Sequence, residues 1–132
     1  MPQIKEQPTI EPEVDLLVKL ELLSNIAEES QVIVHCSYLS TEEGDSIRIW
    51  PTTYLYALDS SHKSKLIHAE NITLFPNWLV IPKGVKHTFT LIFSGLPKSC
   101  RHFDLVEKIN EPGGFEIRNI NRNKSDVYSF DI

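Results

Sequence analysis

Trp50, Trp78, Arg118 and Glu107 are the residues of this chain whose types suit ligand recognition. The two indoles can stack on a flat ring, the guanidinium donates in a fixed fork, and the carboxylate accepts. Both tryptophans stand beside prolines, in Trp50-Pro51 and Pro76-Asn77-Trp78, where a ladder loses a donor and a strand ends. At such places packing of a large ring at the rim of the core competes with stacking on a ligand. Tyr54 and Tyr56 add two more rings, with the same two readings. Glu107 has the inward phase of Phe103 and Leu105, so it must emerge at a strand end or find a partner such as Arg118 or backbone N–H groups. Asp104 falls on the opposite face, which prevents the two carboxylates from working as an acid–base dyad.

No catalytic residue is expected. The serines lie in no G-x-S-x-G elbow, and Ser94-Gly95 has no helix behind it to supply an oxyanion hole. Gly113-Gly114 lacks the lysine and helix of a phosphate loop, so it reads as turn chemistry. His35, His62, His68, His87 and His102 occur in no metal-ligand spacing, so neither a metal nor any other cofactor is expected. Cys36 shares the alternating phase of Val32 and Val34 and reads as a small buried hydrophobe, whereas Cys100 sits in a polar loop and is expected to be more exposed. Arg118, Asn119, Asn121, Arg122 and Asn123 form a polar, locally basic stretch that reads as a solvated turn.

The formal net charge of -5 excludes a general phosphate-backbone binder, which needs a concentrated basic face. No apolar run approaches the roughly 20 residues that span a bilayer as a helix. The amino terminus carries proline and glutamate where a secretory signal would be basic and then apolar, which predicts a cytoplasmic protein with reduced thiols. A chain of 132 residues, 41% hydrophobic and 23% charged, has the size and balance of one globular domain.

The elements that must position these side chains are strands. Residues 1–13 read as a flexible lead-in, and the domain as 14–132. Within 14–27, Leu16, Val18, Leu20 and Leu22 alternate as a strand, with a helical stripe as the competing pattern. QVIVHCSYL alternates again, and so does Ser46 through Trp50. In the most regular segment Val85, His87, Phe89, Leu91 and Phe93 share one face, while Lys86, Thr88 and Thr90 take the other. Further strands are expected over 54–58, 65–69, 72–75 and 103–109. A closing hairpin is expected from 115–120 and 127–132. Eight or nine short strands with Gly/Pro punctuation predict an all-β fold, an antiparallel β-sandwich of immunoglobulin-like type, with a jelly-roll or barrel as the alternative.

The runs IRIWPTTYLYAL, AENITLFPNW, FTLIFSGLPKSCRHFDLVE and GGFEIRNINRNKSDVY resemble an uncharacterised family of small β-rich proteins from Bacteroidetes bacteria. That pattern, F-x-L-x-F-x-x-L-P followed by F-D-L-x-E, is matched by Phe89, Leu91, Phe93, Leu96, Pro97, Phe103, Asp104, Leu105 and Glu107. The resemblance covers about residues 47–128 and extends to accessory β domains in larger envelope or redox proteins. It implies an immunoglobulin-like sandwich and supplies no activity.

The residues themselves lead to a non-enzymatic β module that binds a partner protein or stabilises an assembly. A homodimer through a sheet edge is one such assembly, with 54–58 or 72–75 as the contact. The competing class is a binder of a small ligand or carbohydrate, or an enzyme, with a site assembled by the fold from Trp50, Trp78, Arg118 and Glu107. A deep cavity lined by those groups would favour ligand chemistry over a flat protein contact.

Overall fold

The computed structural model describes residues 30–132. The lead-in over 1–13 and the strand expected over 14–27 lie outside the described residues. In chain order the strands are β1 (Val32–Leu39), β2 (Ser46–Ile47), β3 (Thr53–Ala57), β4 (Lys63–Glu70), β5 (Leu79–Val80), β6 (Lys86–Phe93), β7 (His102–Glu107), β8 (Glu116–Asn121) and β9 (Val127–Asp131). Among the described residues there is no helix, and so none long and apolar enough to cross a membrane.

Seven strands form one sheet in the order β8-β7-β3-β4-β6-β1-β9, while β2 and β5 pair as a small separate ribbon. The sheet is mixed, because β9 runs parallel to β1 and every other neighbour in it is antiparallel. Alternation sets which side chains turn inward. Val32, Val34 and Cys36 of β1 face Phe93, Leu91 and Phe89 of β6 across the ladder, and all six are buried. On the other half of the sheet, Leu55 and Ala57 of β3 face Leu105 and Phe103 of β7 in the same way. These β-branched and aromatic pairs fill the pleat from one side only. Both halves contribute to a single core, and the Tyr128 ring of β9 meets the Phe103 ring of β7 edge-on at 5.2 Å.

β4 makes the sheet curl. Its first residues pair with β3 and its later ones with β6. Between Leu66 and His68 the register slips, since Leu66 faces Phe93 whereas His68 faces Ile92. The extra residue, Ile67, is 53% exposed, and Ala69 recovers the inward phase that Ser64 and Leu66 began. A bulge of this kind bends a strand and increases its twist, so β4 turns the corner from one half to the other.

Several expectations change here. Residues 72–75 form no regular strand, only a single bridge from Leu74 to Ile49. Residues 54–58 are not an edge, because β3 is paired on both sides, and among the described residues the outermost strands of this sheet are β8 and β9. For the same reason β8 and β9 are not a hairpin: β8 pairs with β7 and β9 with β1. The loop between them is tied down by a largely buried ion pair, Arg122 Nε to Asp126 Oδ1 at 2.5 Å, while Arg122 Nη1 donates to the carbonyls of Pro97 and Cys100. Arg122 is therefore no solvated turn residue. Cys100 is buried too, its thiol 3.2 Å from the His102 carbonyl, and burial raises its pKa. Burial alone pushes the Cys36 thiol up to about 12. Neither sulfur has the low-pKa environment of a reactive thiol.

Candidate functional site: the mouth of the curled sheet

At one end of the curled sheet, β1, β7 and β9 finish and β6 and β8 begin. A cavity of about 340 Å³ enters it, reaching Phe89 at the edge of the core. Sites in the mouths of curled and closed sheets are common, because the strand ends there present side chains without using up backbone pairing. Trp50, Trp78 and Glu107 line this cavity together, joined by Tyr38, Arg48 and Glu111. Three of the four residues singled out from sequence thus converge.

Arg48 and Trp50 lie two apart in the extended segment that leads from β2 to β3, so they present to the same side. The bridge between Ile49 and Leu74 brings the segment carrying Phe75 and Trp78 against them, with Ile49 N–H donating to the Thr73 carbonyl and Phe75 N–H to the Ile49 carbonyl, both at 2.9 Å. The result is a clamp. Trp50 and Phe75 stack with ring centroids 3.9 Å apart. The Arg48 guanidinium carbon sits 3.7 Å from the Trp78 centroid and 4.6 Å from that of Phe75. Such cation–π contacts strengthen when water is excluded. Arg48 Nη1 donates to the Pro76 carbonyl at 3.0 Å, whereas Arg48 Nε is a buried donor with no acceptor among the described residues. An unpaired buried donor carries its full desolvation cost, about 1–3 kcal/mol, which a ligand oxygen would relieve.

Glu107 lies at the inward phase of the last position of β7, opposite the buried Thr53. Its oxygens accept from two backbone groups: Oε2 from Trp50 N–H at 3.0 Å and Oε1 from Phe115 N–H at 3.3 Å. One carboxylate therefore pins both segments that frame the cavity. Burial raises the Glu107 pKa above 4.5, against the opposing pull of the two N–H donors and the Arg48 charge. The native state then holds this proton to higher pH than the unfolded chain does. The stability it contributes is complete below the unfolded value and is lost as pH rises through the folded one. A carbon-detected NMR titration should give Glu107 a midpoint above the ordinary 4.5. A midpoint at or below it would mean that the donors and Arg48 outweigh burial.

No family model, curated protein or solved structure matches this chain.

Arg118 is the sequence candidate that does not line the mouth. Its Nη1 donates to Asp104 at 2.8 Å and its Nε to Glu116 at 2.9 Å. The cause is a second register slip, in β8 opposite Asp104, where Asn119 adopts a positive φ of 54° and its N–H turns toward the Asp104 carboxylate at 2.7 Å. Asp104, outward by phase, is buried beneath this bulge and holds Arg118 there. Glu107 is thus satisfied by backbone N–H groups, the second of the two partners its phase allowed.

The residues that sequence reasoning missed are Arg48, Phe75 and Glu111. Arg48 carried a signal in the two-residue spacing of Arg48 and Trp50, whereas Phe75 joins them only through the tertiary bridge. Among the described residues, no group of three or more His, Cys, Asp or Glu side chains is placed to hold a metal ion.

Proposed function

We propose that this chain is a non-enzymatic ligand-binding β module whose recognition site is the mouth, and that its ligand carries a sugar unit. The observation that carries this reading is the Arg48 clamp: a guanidinium held against aromatic rings, with a buried donor that has no acceptor among the described residues, lining a cavity of about 340 Å³. Small-molecule sites begin at about 300 Å³. Trp78, 56% exposed, offers a broad indole surface, and Glu107 and Glu111 line the same cavity as Arg48. A sugar matches that mixture, since its C–H face stacks on an indole while each hydroxyl both donates and accepts.

A cavity lined by these groups favours ligand chemistry over the expected flat protein contact. The same reading takes the curled sheet as an immunoglobulin-like sandwich. Its halves β8-β7-β3 and β6-β1-β9 share β4, and the Phe103 and Tyr128 contact spans the core between them.

The test uses intrinsic fluorescence. The chain has two tryptophans and both line the cavity, so emission reports the mouth directly. Hits from a glycan array should shift this emission on titration. Trp78→Ala should weaken them by at least about tenfold, the equivalent of about 1.4 kcal/mol. Absence of any glycan hit, or hits indifferent to Trp78→Ala, would overturn the reading.

A further inference from the structure

The mouth is one end of a longer groove. Trp50 borders the cavity on one side and, on the other, a hollow on the outer face of the sheet that also contains Tyr54, Tyr56, Lys63 and Lys108. Tyr56, Lys108 and Ile109 then pass from that hollow into a third, which rejoins the mouth at Glu107 and Glu111. We infer that the ligand is an extended saccharide chain, with one unit in the mouth and further units running over the rim at Trp50 onto the outward rings of β3. This inference rests on the sugar reading of the mouth and adds the chain and its path.

Strand geometry supplies the row of rings. Thr53, Leu55 and Ala57 are buried, so Tyr54 and Tyr56 take the outward positions of β3. Their centroids are 6.0 Å apart, a spacing comparable to one unit of a sugar chain. The rings meet at 62°, so successive units must turn relative to one another, as the rings of a twisted chain do. Lys63 Nζ lies over the Tyr54 ring, 4.3 Å from its centroid, and Lys108 lines the same hollow, so two ammonium donors border the row.

The strand's position decides what kind of chain fits. β3 is paired with β4 and β7, so its backbone donors and acceptors are used, and a peptide cannot dock here by adding a strand. A ligand on this face is held by side chains alone. A proline-rich peptide is also held that way, but its backbone offers mainly acceptors, which suit Lys63 and Lys108 and give the Glu111 carboxylate no donor. Hydroxyls along a saccharide meet carboxylates and ammonium groups alike.

The experiment compares chain lengths on the intact protein. Disaccharides and hexasaccharides of the cello, xylo, manno, chito and galacturono series are titrated by calorimetry, with tryptophan emission as a second readout. The hexasaccharide of the preferred series should bind at least about tenfold more tightly than its disaccharide. Tyr54→Ala with Tyr56→Ala should remove that gain and leave the disaccharide unchanged. Tyr56→Phe, which keeps the ring, should retain the gain, and Trp78→Ala should weaken both lengths. Equal affinity for the two lengths, or a gain that survives loss of both tyrosine rings, would overturn the chain while leaving a sugar in the mouth. Binding of a proline-rich peptide with no saccharide binding would overturn both. Thermal unfolding of each variant separates lost binding from lost fold. Should the double alanine variant unfold, Lys63→Gln with Lys108→Gln takes its place, and a hexasaccharide gain unchanged in that variant would overturn the groove.

Discussion

Leu91→Ala is expected to lower the free energy of unfolding by about 2–5 kcal/mol, read from denaturant melts. Leu91 has no exposed surface and lies mid-strand in β6, flanked by Val34 of β1 and Ala69 of β4 on the inward side. Truncating it leaves a void between the two halves of the sheet, where neither neighbour can move inward without breaking its own ladder. Thr88, three residues away and exposed on the other face, provides the control: Thr88→Ala should stay within about 0.5 kcal/mol. A loss below about 1 kcal/mol for Leu91→Ala would mean that this strand does not bury that face.

Arg122→Met should be as damaging, about 3–5 kcal/mol, because it strands a buried carboxylate. Only 17% of the Arg122 side chain and 8% of the Asp126 side chain are exposed. Asp126 would keep the hydroxyl of Tyr128 at 3.1 Å and lose both guanidinium contacts, while the carbonyls of Pro97 and Cys100 would lose their donor. The cost should fall when the stranded charge is also removed. Asp126→Asn preserves the positive φ of 56° that this position requires and should restore part of the loss when combined with Arg122→Met. Simple additivity of the two substitutions would show that the pair does not act as a unit.

These two sites differ in how far the sequence disclosed them. Leu91 was legible because burial on a strand repeats every two residues, so its phase could be read from its neighbours alone. Arg122 has the sequence context of a solvated turn, since its partners Asp126, Pro97 and Cys100 come together only when β8 and β9 are sent to opposite ends of the sheet order. A short polar loop between two alternating segments looks like a hairpin, and nothing local states that the segments pair elsewhere. Cys100 was misplaced for the same reason, buried by a loop that Arg122 ties down.

The sequence by itself determined the strand-rich class, the inward set on β1, β6 and β7, and the rings and carboxylate that gather at the mouth. Each of these depends on residue type and a spacing of two, which are local properties. The tertiary structure alone decided the bulges in β4 and β8, because a register slip is defined by the partner strand. The first bends β4 between the two halves of the sheet, and the second carries Arg118 away to Asp104. It also decided that Arg48, from one segment, would be clamped by Phe75 and Trp78 from another. Contacts between segments so far apart in the chain arise from the closing of the whole sheet, which no window of sequence contains.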